Sequence, residues 1–293
     1  MQYMKHVIYI FFLLIVFYSC SDKKGSSNTD KPLITVTLEP LRYFTETIAG
    51  DKFEVVSMVP KGSSPETYDP TPQQLISLGK SVAYFRIGFI GFEQTWMDKL
   101  QENAPNMKVF DTSQGIKFIQ SEGHYHGDHF HEGGIEPHIW NSPRNSMIIA
   151  NNILNALVQL DNDNKDYYTE RFDLLSKEID KTDAEIKKVL SQGADSVFMI
   201  YHPALSYFAR DYGLKQIPIE KDGKEPSPAY LKELIDISRR EKVNVIFVQP
   251  EFTLRNAELI SKETNTKIIS INPLDYNWHE EMIKIAKALV IHE

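Results

Sequence analysis

Between Asp163 and Ser191 the side chains Tyr168, Phe172, Leu175, Ile179, Thr182, Ile186 and Val189 recur at steps of four and three, forming one continuous seam. A single helix of about 28 residues would span roughly 42 Å, more than one small domain needs. The seam predicts a long strut, and the sequence on either side says what it joins. Both flanks alternate short β-branched runs with amphipathic stretches, the pattern of α/β units with parallel sheets. A coiled-coil dimer would show the same seam, but three to four turns of it bordered by α/β sequence favour an internal element.

The first half predicts strands over 33–38, 53–59, 82–87 and 108–110, with helices over 41–49, 73–78 and 92–102. A proline-rich loop, 60–72, follows the second strand. Beyond residue 140, Ser142 to Leu160 predicts a helix with Pro143 near its start. After the strut the alternation resumes, with strands over 196–201, 216–219, 243–248 and 267–271. Helices are predicted over 204–212, 227–241, 254–264 and 278–290. The expected fold is therefore α/β, two similar lobes with parallel sheets joined by one long rigid helix.

The amino end carries a targeting segment. Lys5 precedes an unbroken apolar run from Val7 to Tyr18, too short to span a bilayer as a helix but suited to a signal peptide. Ser19 and Cys20 follow, and Cys20 is the only cysteine. Phe17-Tyr18-Ser19-Cys20 resembles a bacterial lipobox, with Phe17 in place of the usual aliphatic residue. The resemblance implies cleavage before Cys20 and lipidation of its thiol, with the polar residues after it as a tether. The alternative is an ordinary cleaved signal with a stray cysteine. The expected organisation is a signal peptide over 1–19, a lipidated tether over 20–31, an amino-terminal lobe over 32–160, a connecting helix over 161–193 and a carboxy-terminal lobe over 194–293. Losing residues 1–19 removes one charge, Lys5, and takes the formal net charge from −8 to −9. Such an acidic chain argues against a nucleic-acid partner and is compatible with attracting cations. With no cysteine left beyond Cys20, any metal must be held by nitrogen and oxygen.

Five of the nine histidines lie between residues 124 and 138: His124, His126, His129, His131 and His138. Glu122, Asp128, Glu132 and Glu136 are interleaved with them. Imidazole and carboxylate are the donors that divalent transition metals prefer. Residues 121–134 lack an apolar period and are predicted to be a mobile polar loop. His138, between Pro137 and Ile139-Trp140, is predicted to be anchored. Parallel sheets present ligand residues just beyond their strand ends. Four places qualify: the loop holding Glu66, His138, His202 directly after a strand, and the loop from Asn272 to Asp275. Two imidazoles and a carboxylate make a coherent metal site, although either histidine by itself could instead be a structural core residue.

These stretches resemble the zinc/manganese-binding solute-binding lipoproteins of ABC importers, the ZnuA-like family. The resemblance rests on Val59-Pro60-Lys61-Gly62 through Tyr68-Asp69-Pro70-Thr71-Pro72, on Glu136-Pro137-His138-Ile139-Trp140-Asn141-Ser142-Pro143, on Tyr201-His202 through Phe208-Ala209-Arg210-Asp211-Tyr212-Gly213, and on Glu225-Pro226-Ser227-Pro228. It covers nearly the whole chain beyond the tether. It implies a metal site between the lobes, with His138 at the family's second ligand position and His202 at its third. Histidine rather than glutamate at the third position implies Zn2+ over Mn2+. Two positions depart from the family pattern. Glu66 stands where the first ligand is a histidine, and Asn272 where the last loop often has an aspartate, with Asp275 three residues on as a possible fourth ligand. The resemblance also implies a membrane permease as partner, a membrane attachment through the lipid, a bacterial periplasmic or external location, and weak auxiliary metal binding by His124, His126, His129 and His131. A monomer is expected.

An enzyme is not expected. A zinc-dependent hydrolase with a two-histidine, one-glutamate site is the alternative, but the His-Glu-x-x-His signature is absent and no histidine pair lies four apart on a predicted helix. A surface adhesin or metal store is a further alternative that fits the lipid anchor.

Overall fold

The computed structural model describes residues 31–290, except 121–123, 127, 128, 132, 133 and 222; of residues 124–126 and 129–131 it describes the backbone only. The signal peptide, Cys20 and the tether lie outside the described residues. Among the described residues no helix is long and apolar enough to cross a membrane.

The amino-terminal half contains β1 (Leu33–Val36), α1 (Glu39–Ala49), β2 (Glu54–Ser57), α2 (Pro72–Leu78), β3 (Ser81–Arg86), α3 (Gly91–Asn103) and β4 (Lys108–Asp111). Its four strands are all parallel, in the order β2-β1-β3-β4. A hairpin of β5 (His124–His126) and β6 (His129–His131) follows, then α4 (Pro143–Leu160), a 3-10 turn (Asn162–Asn164) and α5 (Lys165–Leu190). The remaining chain forms β7 (Val197–Ile200), α6 (Ser206–Tyr212), β8 (Lys215–Pro218), α7 (Pro228–Glu241), β9 (Val245–Val248), α8 (Arg255–Thr264), β10 (Lys267–Ser270) and α9 (Trp278–Ala288). Its sheet is also parallel, in the order β10-β9-β7-β8. Numbered within each lobe, both sheets read 2-1-3-4, so the two halves share one topology.

Six of the eight sheet strands end one or two residues before the apolar runs that predict them. Thr37 and Leu38 beyond β1, Tyr201 beyond β7 and Ile271 beyond β10 stay buried but leave the ladder to form loops at the carboxyl ends of the sheets. The helix expected from Ala204 starts at Ser206, because the Ala204 amide closes a tight turn onto the His202 carbonyl at 2.7 Å.

The strut is α5, 26 residues and about 39 Å long. Tyr168, Leu175, Ile179, Thr182 and Ile186 of the seam are buried, and Phe172 and Val189 pack beside them. They fill the space against α1, α4 and α9. One apolar core runs through the amino-terminal sheet, the strut, α9 and the inner face of the second sheet. A smaller core lies on the outer face of that second sheet, under α7 and α8.

The stretch predicted as an irregular loop contains the β5–β6 hairpin. Its register sets His124 opposite His131, Tyr125 opposite Phe130 and His126 opposite His129. Strand pairing continues at its base through the Gln120–Ile135 bridge, and the Glu136 amide donates to the Ile119 carbonyl at 3.0 Å. Tyr, Phe and His are compatible with strand conformation.

Candidate metal centre

Parallel sheets gather functional loops at their carboxyl ends. Glu66 comes from the loop after β2, His138 from the segment after β4, and His202 from the turn after β7. One ligand atom from each lies within 4.8 Å of the others. His138 Nε2 and His202 Nε2 are 3.1 Å apart, and Glu66 Oε1 is 4.0 Å from His138 Nε2.

The proline-rich loop is built to hold Glu66. Thr71 and Gln74 form a capping box at the start of α2, and Gln74 also accepts a bond from the Tyr68 hydroxyl and donates to the Met58 carbonyl. The Tyr68 ring packs on Phe92, and Asp69 accepts from the Trp96 indole at 3.1 Å. On the other flank the Phe92 amide donates to the Pro65 carbonyl at 2.8 Å, and the Gly91 amide to Glu66 Oε2 at 3.2 Å. Gly91 is the first residue of α3, so the helix dipole favours the Glu66 carboxylate there. A Cβ at Gly91 would meet Glu66 Oε2 at 2.6 Å and the Glu66 carbonyl at 3.0 Å. The second oxygen, Glu66 Oε1, is buried with no hydrogen-bond partner. Such a group is costly unless something charged meets it.

His138 is almost wholly buried, in the turn that opens α4. The Trp140 indole donates to the Pro273 carbonyl at 2.7 Å, and Asn141 donates to the Ala204 carbonyl at 2.9 Å. Both bonds cross between the lobes. Ser142 caps α4 through the Asn145 amide and donates to Asp211. The run from Glu136 to Pro143 is therefore a docking turn with a histidine at its tip.

His202 is fixed through its backbone by Gln249, which donates to the His202 carbonyl at 2.6 Å and accepts from its amide at 3.3 Å. Phe252 stacks on the ring with an interplanar angle of 15°.

Both imidazoles have a carboxylate behind them. His138 Nδ1 donates to Glu136 Oε1, and His202 Nδ1 to Glu220 Oε1 at 2.7 Å. With Nδ1 committed to a carboxylate, each Nε2 is left as the donor facing the cluster, the outer arrangement that orients metal-binding histidines. Glu136 is itself held across the cleft by the Ser206 hydroxyl at 3.0 Å. Burial acts to lower the His138 pKa, but the Glu136 carboxylate, with Glu66 and Glu220 further off, outweighs it and holds it above the usual value. For Glu136 burial acts upward, and its contact with His138 outweighs that and holds it below the usual range.

The group opens on a cavity of about 30 Å³, also lined by Trp140, Glu251, Phe252 and Leu274. That is room for one ion or a water-sized occupant. Burial holds the Glu251 carboxyl above its usual range.

The structure does not bring Asp275 into this group. Its carboxylate accepts from Asn272 Nδ2 at 3.1 Å and from the Asn277 amide at 2.9 Å, closing the last loop on itself. Asn272 shapes that loop as well, accepting from the Leu274 amide. The side chains of His124, His126, His129 and His131 lie outside the described residues. Sequence reasoning passed over Glu220, Gln249 and Gly91, and gave Glu136 no role beyond the histidine-rich stretch and the Glu136–Pro143 run. Glu136 at two residues before His138 was the one visible signal; the others act through spatial neighbours far along the chain.

Residues 34–290 match the model of the family described as the zinc-uptake complex component A, periplasmic. The chain belongs to that family. Its fold is similar to a crystal structure of ZnuA at a TM-score of 0.82 and 35% identity, covering 89% of this chain and 98% of the other. Among curated relatives, the manganese ABC transporter substrate-binding lipoprotein PsaA of Streptococcus anginosus is 29% identical over 276 residues, covering 89% of this chain and 86% of the relative. The high-affinity zinc uptake system protein ZnuA of Bacillus subtilis is 28% identical over 289 residues, covering 95% and 90%. The family is one of metal-binding substrate-binding components of ABC importers rather than of enzymes, and such a component implies a membrane permease as partner.

Proposed function

We propose that this chain captures Zn2+ between its lobes, with Glu66, His138 and His202 as ligands, and hands it to the permease. The carrying observation is the convergence of two Nε2 atoms and the buried, unpartnered Glu66 Oε1 at one small cavity. Two imidazoles and one carboxylate form a donor set that zinc accepts in four-coordinate sites with one open position. Two nitrogens in three donors favour zinc over the harder, oxygen-preferring manganese. Relatives named for either metal exist, so the donor set is what supports zinc. Asp275, spent on its own loop, is left out of this ligand set. Cys20 is the proposed lipid attachment, holding a monomer at a bacterial membrane through the tether. His124, His126, His129 and His131 are proposed to bind further zinc weakly; their paired register puts all four positions on one face of the hairpin.

Titration calorimetry with zinc and manganese on residues 26–293 tests this reading. One tight zinc site, lost in His138→Ala and His202→Ala and weakened at least about tenfold in Glu66→Ala, is expected. Unchanged tight binding in both histidine variants would overturn the ligand assignment, and tighter binding of manganese would overturn the metal. Deleting 121–134 should remove only the weak sites.

A further inference from the structure

Glu93 is a carboxylate in the core of the amino-terminal lobe, 2% exposed, and outside the ligand group. Three donors converge on it. The Ile87 amide donates to Oε1 and the Gly88 amide to Oε2, both at 2.7 Å. The Thr37 hydroxyl, just beyond β1, donates to Oε1. The Tyr84 hydroxyl on β3 lies 3.0 Å from Thr37 Oγ1 and extends the chain of bonds. Three donors on one buried side chain call for a carboxylate; an amide would turn an N–H against one of them. The residue is also the third of α3, and Gly91, the first, supplies the amide that holds Glu66 Oε2. The loop 87–90 leads from the two bonded amides directly into Gly91. It is constrained further at Gly88, whose φ of +121° suits glycine and whose Cβ position would meet Ser113 Oγ at 3.0 Å.

We infer that Glu93 is a positioning residue for the metal centre: by gathering the amides of residues 87 and 88 and the Thr37 hydroxyl it fixes the start of α3, and so the Gly91 amide that aims Glu66. This rests on the reading of Glu66 as a ligand. The retention of a buried acid supports it, because an ionised carboxylate costs the fold stability there. Burial pushes its pKa up to about 7, against the hydrogen bonds of Thr37, Ile87 and Gly88 and the charge of Arg86. A site that must hold a ligand to a fraction of an ångström has reason to keep a buried acid that gathers three donors at this cost.

The test is zinc calorimetry at pH 8 on Glu93→Gln, alone and combined with Glu66→Ala, beside denaturant unfolding of each metal-free protein. In the wild-type background Glu93→Gln is expected to weaken zinc about tenfold while the metal-free protein still unfolds in one cooperative transition. In the Glu66→Ala background it should produce no further loss. Wild-type affinity in Glu93→Gln would overturn the inference, and so would an equal loss in both backgrounds. Should Glu93→Gln not fold, Thr37→Val removes one of the donors and is read in the same cycle, with a smaller loss expected and Thr37→Ser restoring affinity. Failure of the reading beneath is separately visible: zinc binding would then be indifferent to His138→Ala and Glu66→Ala themselves.

Discussion

At the scale of single residues, the proposed metal centre is positioned by groups outside its ligand set. Gly91 is the sharpest case. Gly91→Ala would put a methyl 2.6 Å from Glu66 Oε2 and push the carboxylate off the α3 amide. Calorimetry should show zinc affinity reduced about tenfold, roughly 1.4 kcal/mol, with His138 and His202 still in place. Glu93 sets a stability signature of its own. Its carboxyl is raised from 4.5 to about 7 in the folded state, so the fold binds the proton more tightly than the unfolded chain does. The stability this contributes is fully present below pH 4.5 and is lost as pH rises through 7. The loss is about 3 kcal/mol. Urea unfolding of the metal-free protein at pH 5 and pH 8 should show that slope in the wild type and a much flatter one in Glu93→Gln.

At the scale of elements, the strut decides how the lobes stand. Its buried seam faces α4 and α9, and polar bonds fix its rotation: Tyr43 donates to Glu178, the Tyr212 hydroxyl to Asp183 at 2.9 Å, and Thr182 Oγ1 lies 2.5 Å from His279 Nδ1. Tyr276 on the far side bonds Glu46 of α1 at 2.6 Å, tying the last loop back to the first lobe. Ile179 lies 1% exposed in the middle of the seam. Ile179→Ala should lower unfolding free energy by about 2–4 kcal/mol, read as a shifted urea midpoint. Zinc affinity should stay within about threefold, since the strut supplies no ligand.

At the scale of the whole molecule, one apolar core crosses from the first sheet through the strut to the inner face of the second. A large apolar junction of this kind resists independent lobe motion. Thermal unfolding of residues 26–293 should therefore be a single cooperative transition by calorimetry and circular dichroism, rather than two. Zinc at a hundred times its Kd should raise the unfolding free energy by about 2.7 kcal/mol, and the two-histidine alanine variant should lose that gain. Separate transitions for the two halves would contradict the shared core.

The sequence by itself determined the architecture. The 4-3 seam on residues 168–189 sets a long amphipathic helix, and the flanking alternation of β-branched runs with helical stretches sets two parallel sheets. These are local signals, carried by periods of two and 3.6 residues. Strand-end position and donor chemistry also brought Glu66, His138 and His202 to notice. Tertiary structure alone decided where those residues meet. Glu66 and His138 are 72 positions apart, and His138 and His202 are 64, yet their donor atoms share one cavity. The partners that orient them, Glu220 behind His202 and Gly91 beneath Glu66, come from other loops, and no local period reports a contact of that kind. Asp275 shows the same limit from the other side. Its position after the last strand fits a ligand, but the chain turns there so that Asn272 and the Asn277 amide take both of its oxygens. A sequence period specifies which face of an element is buried; which loops meet above two sheets is fixed by how the strut sets the lobes against each other.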